Sequence, residues 1–135
     1  MLNLASVLIV EDEPFIALCL ANAVEDAGGS VVGPVGSVRE ALVKLETSRI
    51  TAAILDTNLT DRDIYPAAEI LLTRGIPVIF HTAVGVSIAL QARFPDLVVC
   101  IKPCDAEELV TQLATLIANR ERSAPARLSP LVFAA

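Results

Sequence analysis

Apolar residues fall along this chain in two alternating rhythms. Short runs at Val7–Val10, Val31–Val32, Ala52–Leu55, Val78–Phe80 and Leu97–Ile101 are nearly unbroken, rich in β-branched residues and of strand length. A strand wetted on one face would alternate with polar residues, so these runs predict strands covered on both faces. Between them the period lengthens. Pro14–Ala27 carries Ile16, Leu20, Val24 and Ala27 at helical spacing, with proline at its start and Gly28-Gly29 past its end. Ser37 followed by Glu40 is a capping-box pattern for a second helix, with Val38, Ala41, Leu42 and Leu45 on its apolar face. A third helix is predicted from about Ile64 to Arg74, before Gly75, and a less amphipathic fourth from about Gly85 to Arg93. The fifth starts after Asp105 and turns Leu109, Leu113, Leu116 and Ile117 inward.

Five strands alternating with five helices imply right-handed crossovers and an α/β fold, a doubly wound parallel sheet. The pattern dissolves after Asn119, which predicts one domain over residues 1–119 and a tail of low order over 120–135, with no effector domain following. A chain of 135 residues suits one domain. It is 54% hydrophobic, with a mean hydropathy of +0.64, as a sheet buried on both faces requires. No apolar run is long enough to span a bilayer, and the start lacks the basic stretch and cleavage site of a signal peptide, so a cytoplasmic location is expected. A net charge of −6 with scattered Lys and Arg argues against nucleic-acid binding. The three cysteines, Cys19, Cys100 and Cys104, are odd in number and lack metal-knuckle spacing; they read as buried thiols in a reducing compartment.

Ligands of doubly wound sheets bind beyond the carboxyl ends of the strands, so the residues ending each run form one set. Strand one ends in Glu11-Asp12-Glu13, strand three in Asp56, strand four in Thr82 and strand five in Lys102-Pro103. Crowded carboxylates repel one another unless a proton or a cation intervenes. Oxygen-only donors suit Mg2+ or Mn2+, and a lysine beside them supplies a point charge for a phosphoryl oxygen. Carboxylate, metal and lysine together are equipment for phosphoryl transfer.

Four segments in order resemble the response-regulator receiver domain of two-component systems: Val7-Leu8-Ile9-Val10-Glu11-Asp12-Glu13, Ile54-Leu55-Asp56-Thr57-Asn58-Leu59, Pro77-Val78-Ile79-Phe80-His81-Thr82-Ala83 and Ile101-Lys102-Pro103. The resemblance covers nearly all of residues 5–118 and implies the flavodoxin-like strand order 2-1-3-4-5. It implies that Asp56 is the phosphoacceptor, attacking a phosphohistidine of a histidine kinase or of a histidine phosphotransfer protein. Asp12 and Asp56 would hold Mg2+ directly, Glu11 through water, and Asn58 through its backbone carbonyl. Thr82 would hydrogen-bond the attached phosphoryl group, and Lys102 would pair with it. A cis Lys102–Pro103 peptide is also implied. The implied output is protein–protein interaction rather than turnover of a substrate, including a homodimer through the helix 4, strand 5 and helix 5 face.

Departures from the family pattern point to an atypical subgroup. Thr60 stands where proline is usual, Ile64 where glycine is usual, and Val99 where many receivers carry the Tyr or Phe that moves with the Thr. Cys104 replaces a common Phe, and Phe80-His81-Thr82-Ala83-Val84 keeps only the Phe and Thr of the subgroup's Phe-Ala-Thr-Gly-aromatic ending. His81, the single histidine, reads as a packing or surface residue rather than a ligand.

Two other functions compete. Asp56-Thr57-Asn58-Leu59-Thr60 resembles the signature of haloacid dehalogenase phosphatases, but that mechanism needs an acid where Asn58 stands. A receiver-like scaffold that binds partners without phosphorylation is the other. No Gly-x-Gly-x-x-Gly follows the first strand, which removes dinucleotide binding.

Overall fold

A computed structural model describes residues 1–123, and the predicted tail from residue 124 onward lies outside the described residues. In chain order the elements are β1 (Ser6–Val10), α1 (Pro14–Asp26), β2 (Ser30–Val35), α2 (Val38–Thr47), β3 (Ala52–Leu55), α3 (Tyr65–Thr73), β4 (Val78–Thr82), α4 (Ile88–Arg93), β5 (Val98–Ile101) and α5 (Ala106–Ser123). All four strand pairings are parallel and the sheet order is β2-β1-β3-β4-β5. The predicted fold class and strand order are both met.

On the central strands β1, β3 and β4 the unbroken apolar runs have the predicted cause, whereas the edge strands β2 and β5 are open on one side and leave Val99 and Ile101 exposed, contrary to the expectation for all five runs. On β1, Leu8 and Val10 face a core completed by α2, α3 and Leu90 of α4, while Val7 and Ile9 face a second core under α1 and α5. β3 divides the same way, with Ala53 and Leu55 toward the first core and Ala52 and Ile54 toward the second. Alternate side chains leave a strand on opposite faces, so only a sheet covered twice takes Val-Leu-Ile-Val without exposing apolar area.

Several boundaries differ from the sequence reading, most by one or two residues, and four are instructive. β2 is longer because it continues through Gly33-Pro34, with a register shift opposite Leu8 to Val10; an edge strand tolerates a proline that has no amide to donate. α4 begins at Ile88 rather than near Gly85, because Gly85 holds a left-handed φ of +92° and Ser87 supplies the cap. α3 begins one residue after Ile64, which stays helical at φ −70° and packs into the first core in place of the usual glycine. α5 runs through Ser123, past the point where the apolar period ends. The Lys102–Pro103 peptide is cis, as the resemblance implied, and so is Gly33–Pro34.

Candidate functional site

Strand register assembles the site. Val10 pairs with Leu55 and Leu55 with Phe80, so Glu11, Asp56 and His81 stand one step further along three neighbouring strands. The Asp56 amide donates to Val10 O at 2.9 Å, and the Lys102 amide to Thr82 O at 2.8 Å, which carries the parallel pairing to the last residue before the loops. Glu11, Asp56 and Thr82 are buried at 3%, 2% and 0% exposure, in a fold that buries no other acid among the described residues.

Lys102 Nζ lies 2.9 Å from Glu11 Oε1 and 3.3 Å from Asp56 Oδ2, bridging the two buried carboxylates. The Glu11 contact is an ion pair without hydrogen-bond alignment, so Oε1 is left with no aligned donor. Glu11 Oε2 accepts from the Glu13 amide at 3.2 Å, and Asp56 Oδ1 from the Asn58 amide at 2.9 Å. Burial raises the pKa of Glu11, against the pull of the Lys102 contact. Burial alone would lower that of Lys102, but Glu11 and Asp56 outweigh it and hold the ammonium charge above its usual range.

One lysine does not neutralise this edge. Glu11, Asp12 and Asp56 each offer a carboxylate oxygen within 4.8 Å of the others. Oxygens sharing one octahedral Mg2+ sit about 2.9 to 4.2 Å apart, so the three carboxylates are close enough to surround one ion, directly or through a bound water. The donors are hard carboxylate oxygens. The residues fit a small divalent cation.

Thr82 does not face Asp56 with a free hydroxyl. Its Oγ1 lies 2.6 Å from Thr57 Oγ1 and accepts from the amides of Val84 and Gly85 at 3.1 and 3.2 Å. Thr57 was read in the sequence only as part of a motif, since a hydroxyl next to an acid carries no signal until the fold brings β4 beside β3. Asp61 was not read at all. Its carboxylate reaches from the β3–α3 loop to the amides of Val38 and Arg39, both at 3.0 Å, adding a second cap to α2 beside Ser37. Those bonds, first that from Val38, hold its pKa below the usual carboxylate range.

His81 is buried at 3% exposure, toward the α1 and α5 side of the sheet, with no hydrogen-bond partner on either ring nitrogen. Burial, helped by the nearby Lys102 charge, lowers its pKa and favours the neutral ring. It borders a cavity of about 520 Å³ with Phe15, Cys19, Leu20, Lys102 and Cys104. Cys100 and Cys104 are free thiols, and Val99 presents an aliphatic side chain, 38% exposed, where a mobile aromatic would stand.

A doubly wound parallel sheet with buried acids, a lysine and a threonine at the carboxyl ends of its strands defines an α/β protein with an acidic cluster at the edge where such folds bind ligands. The family model described as response regulator receiver domain matches residues 7–114, and the chain belongs to that family of two-component signalling modules. It is similar to SdrG from Sphingomonas melonis Fr1, at 39% identity and a TM-score of 0.71 over 87% of this chain and 99% of that one. The receiver domain of a putative Luxo repressor protein from Vibrio parahaemolyticus matches at 28% identity and a TM-score of 0.71, over 95% of this chain and 96% of its own. A curated relative, the transcriptional regulatory protein PdtaR of Mycobacterium tuberculosis, is 36% identical over 78 residues, which span 57% of this chain and 38% of that protein. Among the described residues, no helix is long and apolar enough to cross a membrane.

Proposed function

We propose that this chain is a phosphoacceptor module of a two-component system or phosphorelay, working in the cytoplasm, with Asp56 as the residue modified. The observation that carries the reading is the buried Asp56 carboxylate held between Glu11, Asp12 and Lys102 at the ends of the central strands. Asp12, Asp56 and the backbone carbonyl of Asn58 would hold Mg2+ or Mn2+, with Glu11 acting through water. The ion, when bound, neutralises charge developing on the phosphoryl oxygens.

In the transfer, a carboxylate oxygen of Asp56 forms a bond to phosphorus as the phosphorus–nitrogen bond of the partner's phosphohistidine breaks. The electron pair of that bond leaves with the imidazole, which recovers a proton from water. The Asn58 amide orients the carboxylate through Oδ1, and Lys102 pairs with the anionic product. Thr82 donates to a phosphoryl oxygen once its own hydrogen bonds are rearranged. The donor is a histidine kinase or a histidine phosphotransfer protein, and the output is binding to another protein rather than turnover. The net charge of −6 does not recommend nucleic acid as a partner, and no membrane partner is proposed. The receiver unit comprises residues 1–119, with the last turn of α5 continuing beyond it.

The test is intact-protein mass after incubation with acetyl phosphate and magnesium. A metal-dependent gain of one phosphoryl group, lost in Asp56→Asn, is expected. No gain, with beryllofluoride also failing to bind, would leave a scaffold that binds partners without phosphorylation. Turnover of general phosphate esters that depends on Asp56 would replace the signalling reading with a phosphatase.

A further inference from the structure

Proton counting at Thr82 fixes the direction of a short hydrogen-bond chain. A hydroxyl has one proton and two lone pairs. Both lone pairs of Thr82 Oγ1 are taken, by the amides of Val84 and Gly85. The 2.6 Å contact to Thr57 Oγ1 therefore has Thr82 as its donor. Thr57 then spends its own proton on Gly85 O, at 3.0 Å. The chain runs Thr82 to Thr57 to Gly85 O and closes on the loop whose amides hold Thr82.

We propose that Thr57 is a positioning residue that latches the switch threonine: its hydroxyl holds the Thr82 proton away from Asp56 and ties the β4–α4 loop to β3 in the resting state. The proposal rests on the phosphoacceptor reading above for its consequence, though not for its geometry. For Thr82 to donate to a phosphoryl group on Asp56, its bond to Thr57 must break. Turning Thr82 also takes the acceptor away from the Val84 and Gly85 amides, so the loop must rearrange with it. That loop carries Val84, 76% exposed, and leads to Ile88, 84% exposed, so the rearrangement moves the most exposed apolar side chains at the start of α4. A receiver with an aromatic at position 99 would have a ring to move with the threonine. Here Val99 has no such ring, and the hydroxyl of Thr57 couples Thr82 to the loop instead.

Without Thr57 Oγ1, Thr82 keeps only the longer 3.3 Å contact to Gly85 O as an outlet for its proton. The isosteric Thr57→Val removes the latch and Thr57→Ser keeps it. In unphosphorylated protein, three-bond couplings should show Thr82 in one side-chain rotamer in the native chain and in Thr57→Ser, but averaging in Thr57→Val. Beryllofluoride, which mimics the phosphoryl group, should bind Thr57→Val about two- to tenfold more tightly than the native chain, the worth of one ordinary hydrogen bond, with Thr57→Ser near native. Thermal unfolding of each variant checks that it is folded. A Thr82 rotamer that stays fixed in a folded Thr57→Val, or beryllofluoride affinity that is unchanged or weaker, overturns the latch. Absence of beryllofluoride binding in the native chain itself would overturn the phosphoacceptor reading, and the rotamer measurement would still decide the latch.

Discussion

Glu11 shows how a residue that serves a site works against the fold that carries it. Its carboxylate is buried beside another, and the desolvation that raises its pKa is only partly offset by Lys102. A folded pKa above the ordinary 4.5 favours folding below that value, and the favour is lost as pH rises through the folded pKa. In metal-free buffer, Glu11→Gln should therefore gain stability relative to the native chain as pH rises from about 4 to 7, read from urea unfolding. The gain should vanish near pH 4, and magnesium affinity measured by calorimetry should fall about tenfold or more. Glu11, Asp12, Asp56, Thr82 and Lys102 were all legible in the sequence, because each ends a strand-length apolar run and strand ends share one edge. Thr57 was not, since its meaning depends on an atom 25 residues away.

The β3–α3 loop is the element where sequence pattern was least informative. Its family proline and glycine are replaced by Thr60 and Ile64, yet the turn is made, with Ile64 buried and Asp61 tied to the first amides of α2. The sequence displayed the Ser37 and Glu40 cap of α2, a contact within three residues; the Asp61 cap spans 23 and needs the tertiary fold to exist. Because hydrogen bonds to its charged form depress the pKa of Asp61, its contribution is full above its ordinary value of 3.8 and is lost as pH falls through the folded value. Asp61→Ala should accordingly lower the urea midpoint at pH 7, and the difference from the native chain should shrink below about pH 4. A difference that persisted unchanged at pH 3 would show that the carboxylate charge is not what holds the loop.

On the scale of the whole molecule, two cores on opposite faces of one sheet still leave large apolar side chains in water, among them Phe15 and Leu18 of α1, Val43 of α2, Val84 and Ile88 around the start of α4, and Val99 and Ile101 of β5. Val84 and Ile88, at 76% and 84% exposure, lie in the β4–α4 loop and at the first residue of α4. Arg93 of α4 pairs with Glu69 of α3, which anchors the far end of the same helix. On the phosphoacceptor reading, exposed apolar side chains at the start of α4 lead to the prediction of self-association through them. With beryllofluoride bound, sedimentation should show concentration-dependent self-association that Ile88→Asp abolishes, while the stability of the variant stays within about 0.5 kcal/mol because the side chain is mostly in water. Equal association by Ile88→Asp would move the interface elsewhere.

By itself the sequence determined the alternation of elements, the burial of the sheet on both faces and the set of residues at its carboxyl edge. These are consequences of period and of residue type, which local order carries. Only the tertiary structure decided what those residues do to one another: that Lys102 bridges Glu11 and Asp56, that Asp61 caps a helix from a neighbouring loop, and that the hydroxyls of Thr82 and Thr57 share a short hydrogen bond. Hydrogen bonds and ion pairs depend on distances of a few ångströms between residues far apart in the chain, and no periodicity in the sequence encodes such distances.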